Sequence, residues 1–338
     1  NPPIDPIRER MVMSLHTNIG ATKNILSETP EHCQQIHVEH PILSNEQVAK
    51  LKFIKEKGFK SKVLDATFSA NGKRGTLEKA VDKLTSAAEK AVKTGCNILV
   101  ISDKKVNDKK AAIPSLMAAG AVHHHLIKKG LRSKTGIVVE AADVRETHHF
   151  ATLIGYGVNA INPYLAFETI ISLKRDAFVE KEITAEKLVE NYVEAVKKGL
   201  LKIFSKMGIS TLQSYCGAQI FEAVGIGEKV IDKCFYGTVS RIGGLDFDDL
   251  AKEALTFHKR AYEEVQPPMK RLEVGGVYQW KRRGEYHLFN PDTIHYLQHS
   301  ARTNNYELYR KYAHLINEQS EQACTLRSLF DFKKGKKI

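Results

Sequence analysis

The chain has 338 residues, 42% of them hydrophobic, which is enough for one large domain or two small ones and for a sizeable core. No run of about 18 apolar residues occurs, which argues against a membrane span, and NPPIDPIRER lacks the apolar h-region of a secretory signal. A net charge of +12 with a pI near 9.3 raises the question of nucleic acid. The lysines are dispersed, however, over Lys50 to Lys62, Lys104 to Lys110, Lys128 to Lys134 and Lys197 to Lys206. They fall on the wet faces of expected helices with no recognition fold beside them, so the charge reads as solvated surface. The five cysteines, Cys33, Cys96, Cys216, Cys234 and Cys324, are scattered and form no C-x-x-C pair. Neither a structural zinc site nor a disulfide framework is indicated, and a reducing compartment is the simplest reading. The chain opens on Asn1 without an initiator Met, which suggests a fragment or processed product.

In chain order, residues 1–43 read as an irregular connector with Pro2, Pro3 and Pro6 near its start, and only MVMSLHT suggests a short ordered piece. Ser44 and Gln47 form an S-x-x-Q capping box that predicts a helix through Lys57, closed by Gly58. KVLDATF, Lys62 to Phe68, reads as one buried strand. Leu77, Val81, Leu84, Ala88 and Val92 then mark a helical face that ends at Gly95. Strands are predicted at 97–102, 136–141 and 158–162. Helices are predicted from Pro114 to Lys129, from Val144 to Gly155 and onward from Pro163. This βαβα punctuation implies a parallel sheet with helical crossovers. About five strands alternate with helices, short of the eight of a full barrel, so periodicity leaves an incomplete barrel or an open doubly wound sheet.

Beyond that, a long helix is expected from Thr184 to about Lys206, a short strand near 208–212, a helix near 217–224 and another near 247–265. After Pro267-Pro268 the character changes. GGVYQWKRRGEYHLF alternates around Arg283-Gly284, a hairpin signal. Two polar helices follow, near 292–302 and 305–318. The tail KKGKKI reads as a linker.

Few constellations carry chemistry by themselves. His123, His124 and His125 are adjacent, and neighbours on a helix point about 100° apart, so they do not converge on one metal. YGTVSRIGG, Tyr236 to Gly244, is glycine-rich but is neither G-x-G-x-x-G nor a Walker loop. Cys216 has no base beside it in sequence and reads as a small buried thiol. The residues alone therefore supply an α/β scaffold and no assembled active site.

The motifs are more specific in combination. NPPIDPIRE, SETPEHC, PILSNEQ, LDATF, AVHHHLI, THHF, LIGYGVNAINPYLA, KGLLKIFSKMGISTLQSYCGAQIFEAVGI, SRIGGLDFDDLA, YHLFNPDTI and TLRSLFDF, in that order, resemble the central domain of glutamate synthase from Asn1 to about Phe332. The resemblance implies a rudimentary, incomplete βα-barrel-like α/β domain related to the FMN barrel of that enzyme. It implies a parent that converts glutamine and 2-oxoglutarate into two glutamates. The implied partners are a flanking amidotransferase domain and a flanking FMN domain of the same polypeptide. Ammonia would travel between them through an internal tunnel. FMN and an iron–sulfur cluster would be bound outside this segment. Electrons would come through a small NADPH-dependent subunit or from ferredoxin.

The setting implied is cytoplasmic, or the stroma of a plastid or other organelle. No catalytic residue, cofactor site, metal site, nucleic acid or membrane is expected in this chain. At the tunnel mouth the resemblance assigns Asn45, in PILSNEQ, and Thr67, in LDATF. The expected organisation is a connector over 1–43, a barrel-like core over 44–266, a hairpin and helical extension over 267–332 and a linker over 333–338. The stretch Ser205 to Ile226 is expected to be scaffold within the core. Two other readings compete with it. One is a stand-alone flavin-binding βα-barrel oxidoreductase, on the strength of the alternation and the Gly237 to Gly244 turn. The other is an acid-seeking binding module, on charge alone.

Overall fold

The computed structural model describes residues 2–5, 7–176, 179–180, 182–262, 274–318, 324–330 and 335. The chain divides into two compact units, Asn1–Glu263 and Glu264–Ile338, each described by itself. The elements of the first unit are α1 (Glu9–Val12), β1 (Thr17–Ile19), β2 (Ile36–Val38), α2 (Asn45–Lys52), β3 (Ser61–Asp65), β4 (Thr67–Ser69), α3 (Thr76–Lys93), β5 (Ile98–Ser102), β6 (Lys110–Ala112), α4 (Ser115–Lys128), β7 (Gly136–Glu140), α5 (Thr147–Gly155), β8 (Ala160–Asn162), α6 (Tyr164–Arg175), α7 (Ala185–Met207), α8 (Leu212–Tyr215), β9 (Glu222–Ile226), α9 (Glu228–Cys234), β10 (Val239–Leu245) and α10 (Phe247–Tyr262).

The centre is a parallel sheet in the order β3-β5-β7-β8. The strands follow chain order without reversal, as a right-handed crossover between each neighbouring pair produces when every helix returns on the same side. Strands β5 and β7 are buried at every residue, as expected of parallel strands covered on both faces. On the outer face Leu99, Ile101, Ile137, Val139 and Ile161 join Leu77, Val81 and Leu84 of α3, Val122 and Leu126 of α4 and Phe150 of α5 in the main core. On the inner face Ile98, Val100, Val138 and Ala160 pack with Ile19, Leu43, Val48 and Leu51 in a smaller core. Residues 41–43 extend the sheet beyond β8. Ile161 N–H donates to Pro41 O at 2.7 Å and Leu43 N–H donates to Ile161 O at 2.8 Å, with Ile42 and Ile161 in parallel register. The chain then enters α2, which lies on the inner face.

The capping box forms as read: Ser44 Oγ accepts from Gln47 N–H at 3.1 Å and Ser44 N–H donates to Gln47 Oε1 at 2.8 Å. The helix stops at Lys52, short of the expected Lys57. The expected strand over 62–68 is two strands. β3 ends at Asp65, and β4 turns away to pair antiparallel with β6.

The largest departure lies in 208–226. The expected strand at 208–212 is a helix end, with Gly208 at φ 67° as the left-handed cap of α7, followed by the short α8. The expected helix near 217–224 is extended. Gly217 and Gln219 both have positive φ, which no helix accommodates, and β9 begins at Glu222. β9 pairs in parallel with β10 across α9, making a second, two-stranded βαβ unit. YGTVSRIGG is thus mostly strand rather than an anion-wrapping turn.

The second unit carries α11 (Pro291–Thr303) and α12 (Tyr306–Asn317), joined at Asn304, which is left-handed at φ 49°. Asn290 and Thr293 form a capping box before α11, and Asn305 caps α12. The expected hairpin does not form. The described residues 274–290 contain no strand, only a turn in which Gly284 N–H donates to Lys281 O at 2.9 Å. An isolated hairpin needs a packed face to be stable, and here Val277, Tyr278 and Phe289 are exposed. The expected boundary at 266, the Pro267-Pro268 break and most of the 333–338 linker lie outside the described residues.

Candidate functional site: a polar row across the strand ends

The four strands of the parallel sheet each end in a polar residue, and the register brings those residues level. Asp65 pairs with Ser102, Ser102 with Glu140, and Glu140 with Asn162. Successive strand residues alternate faces. Leu64, Ile101, Val139 and Ile161, one step earlier, point into the outer core, so the polar row points to the inner face where α2 lies. It sits at the carboxyl ends of the strands, where parallel α/β sheets place their functional groups.

Glu140 is the centre of the row and is 0% exposed. Lys52 Nζ, from the last turn of α2, lies 2.6 Å from both of its carboxylate oxygens. Ser102 Oγ donates to Oε2, and Lys104 Nζ lies 3.5 Å from Oε1. Burial of a carboxylate demands such pairing. Asn162, also fully buried, donates through Nδ2 to Leu43 O and to Asn45 Oδ1, both at 2.9 Å, while its Oδ1 is buried without a hydrogen-bond partner. At the other end Thr67 Oγ1 donates to Asp65 Oδ1 at 2.6 Å, with Lys105 and Lys110 ammoniums each 3.7 Å from Asp65.

Asp103 sits directly behind the row. It accepts Ala142 N–H and the Tyr164 hydroxyl, both at 2.8 Å. Burial pushes its carboxyl up to about 6; the two hydrogen bonds oppose the shift, and the negative charges of Asp143 and Glu140 add to it. Lys104 Nζ lies over the Tyr164 ring, 4.8 Å from its centroid.

Asn45 and Thr67 therefore stand at opposite ends of one polar row, each bonded to a different member of it. Asn45 is the first residue of α2 and is exposed; Thr67 opens β4 and is half-buried. Ser102, Asp103, Glu140, Asn162 and Lys52 were not singled out in the sequence. A local signal was present: VLD, LVIS, IVVE and AIN each close an apolar run on a polar residue. The row gathers hydrogen-bond donors and acceptors, with the charges of Asp65 and Glu140 paired to neighbouring lysines.

The histidines turn to separate neighbours. His123 meets Arg132, and His125 lies 2.7 Å from Glu89. His124 lines a cleft of about 220 Å³ with Tyr156, Phe221 and Tyr236. Among the described residues no group of three or more His, Cys, Asp or Glu is arranged to hold a metal. No described helix is long and apolar enough to cross a membrane. Burial pushes the Cys216 thiol up to about 11, away from nucleophilic reactivity.

Comparison with known proteins follows the same lines. The family model described as glutamate synthase central domain matches residues 1–227. The chain is 44% identical over 337 residues to the glutamate synthase (NADPH) large chain of Bacillus subtilis (strain 168), covering 100% of this chain and 21% of that one. It is 44% identical over 345 residues to ferredoxin-dependent glutamate synthase 1, chloroplastic/mitochondrial, of Arabidopsis thaliana, covering 98% of this chain and 21% of the relative. It is 40% identical over 336 residues to glutamate synthase (NADH) of Schizosaccharomyces pombe (strain 972 / ATCC 24843), covering 98% and 16%. The chain thus spans about a fifth of the length of the curated relatives it matches. A flavocytochrome b2 mutant with benzoylformate superposes at a TM-score of 0.34 with 14% identity, over 40% of this chain and 31% of that one, too slight a likeness to bear on fold or function. On the match over residues 1–227 and the identities above, the chain belongs to the glutamate synthase central domain family.

Proposed function

We propose that this chain is the central, non-catalytic part of a glutamate synthase. In this reading it joins a glutamine amidotransferase domain to an FMN domain and forms part of the passage that carries ammonia between them. The parent reaction would combine glutamine, 2-oxoglutarate and two electrons into two glutamates, with FMN and an iron–sulfur cluster held outside this segment. A small NADPH-dependent subunit or ferredoxin would supply the electrons. The singly wound parallel sheet would be the remnant of a βα barrel. The setting would be the cytoplasm, or an organelle stroma.

The observation that carries the reading is the register-aligned row Asp65–Ser102–Glu140–Asn162, bracketed by Thr67 at one end and Asn45 at the other. Both end residues are small, polar and uncharged, able to hydrogen-bond ammonia or a water without binding an ion tightly. The test needs the full-length enzyme. Thr67→Val and Asn45→Leu are expected to let glutamine hydrolysis run ahead of glutamate synthesis. If both variants keep wild-type coupling and stability, the conduit assignment fails.

The alternative, a stand-alone flavin barrel, leaned on the glycines from Gly237 to Gly244. In the fold Gly237 precedes strand β10 while Gly243 and Gly244 lie near its far end, so the three are spread along an extended segment and do not form one turn of a phosphate cradle. A stoichiometric FMN absorbance in the purified chain would favour that alternative.

A further inference from the structure

Helix α2 is tied to the sheet at both ends. At its start Asn162 Nδ2 holds Asn45 Oδ1 and Leu43 O. At its end Lys52 holds both oxygens of Glu140. Between them only Val48 and Leu51 are buried. A helix of eight residues has little stability of its own in water, so these attachments set where it sits. The Lys52 tie is the stronger of the two, because it is charge-assisted and reaches a carboxylate with no exposure to water. Lys104 is no replacement: its ammonium is farther from Glu140, at 3.5 Å, and its side chain is 42% exposed.

We propose that Lys52 and Glu140 are positioning residues. Their ion pair seats α2 on the inner face and so sets Asn45, seven positions away at the other end of the helix, at the end of the polar row. The inference rests on the conduit reading of Asn45 given above. It adds that coordination between the glutaminase and synthase activities depends on a half-buried lysine paired with a buried carboxylate.

A purely stabilising role for the pair makes a different forecast. Removing Lys52 alone strands a buried carboxylate and destabilises the fold. Removing both charges together is often neutral or better. Stability and positioning therefore separate in the double variant Lys52→Met/Glu140→Gln. In full-length glutamate synthase we would measure glutamine hydrolysed per 2-oxoglutarate consumed, together with the thermal unfolding midpoint, for that double variant, for Lys52→Met, for Lys52→Arg and for Asn45→Leu. The double variant is expected to unfold like wild type and yet raise the ratio by about 2- to 30-fold, the span that mutations away from a ligand produce in coupling. Lys52→Arg, whose guanidinium also grips a carboxylate with two bonds, is expected to restore the wild-type ratio. If Lys52→Met lowers the unfolding midpoint, the double variant is read in its place. A wild-type ratio in the double variant, with a raised ratio in Asn45→Leu, overturns the positioning role and leaves the conduit reading standing. A wild-type ratio in both overturns the two together.

Discussion

Arg132 Nε donates to His123 Nδ1 at 2.9 Å, a bond that exists only while the imidazole is neutral. The same guanidinium donates to Thr135 O and Gly157 O, each at 2.6 Å, and so ties the end of α5 to the loop before β7. Burial, and then the guanidinium charge, hold His123 down at about 3; burial, and then Lys128, hold His124 at about 4. The unfolded chain therefore takes up these protons first, near the ordinary value of 6.5. The stabilisation is complete above about 6.5 and is lost as pH falls toward 4 and then 3, at roughly 1.4 kcal/mol per pH unit for each group. Urea unfolding between pH 7 and 4 should show this slope, and His124→Gln should flatten it. An unchanged slope in the variant would mean that His124 titrates normally in the fold.

Asp103 works in the opposite sense. Its folded value of about 6 lies above its ordinary value of 3.8, so the fold keeps a proton that the unfolded chain has released. Its contribution is full below about 4 and is lost as pH rises through 6. The stability of Asp103→Asn relative to wild type should accordingly improve by on the order of 3 kcal/mol between pH 4 and 7. Paired denaturation curves at the two pH values decide it, and a difference independent of pH would refute the shift.

Gly120 lies within α4, where alanine would ordinarily gain about 1 kcal/mol. Here an added Cβ would come within 2.3 Å of the Cys234 carbonyl oxygen at the end of α9. Backbone does not yield as a side chain does, so Gly120→Ala should cost about 1–3 kcal/mol by overpacking. A rise in the urea midpoint would show that α9 is not seated on α4.

Tyr215 is fully buried, stacks on Phe204 with ring centroids 4.1 Å apart, and keeps a hydroxyl with no hydrogen-bond partner. Dropping that hydroxyl removes a desolvation cost and leaves the stack intact. Tyr215→Phe should be neutral or stabilising by about 1 kcal/mol. A loss greater than that would reveal a partner for the phenol.

Much of the fold between residues 61 and 175 was legible because periodicity and burial agree there. Leu77, Val81, Leu84, Ala88 and Val92 recur at helical spacing and are all buried, and ILVIS and GIVVE are continuous apolar runs that the sheet buries on both faces. The stretch 208–226 misled because small and polar residues there fit a helix entry as well as a loop. The outcome turned on Gly217 and Gln219 taking left-handed backbone, a tertiary choice. The hairpin signal at Arg283-Gly284 was locally sound but had no sheet to join. Asn45 and Thr67 came from resemblance alone. What relates them, the alignment of Asp65, Ser102, Glu140 and Asn162, depends on how strands up to 97 positions apart come into register, and local pattern carries no information about that.

The pairing of residues 41–43 with β8 sets an order of events on the chain as it is made. Asn162 reaches back 119 positions to hold the Leu43 carbonyl, and Ile161 closes on Pro41. Residues 41–52 thus leave the ribosome long before their seat exists. Loop closure over that span costs entropy that only a nearly complete sheet repays, and such nonlocal pairings form late. Until then Leu43, Val48 and Leu51 remain uncovered, in a nascent chain whose βα units are already collapsing behind them. The segment that carries Asn45 is therefore made well ahead of the strand that seats it and is among the last parts of the sheet to find its place.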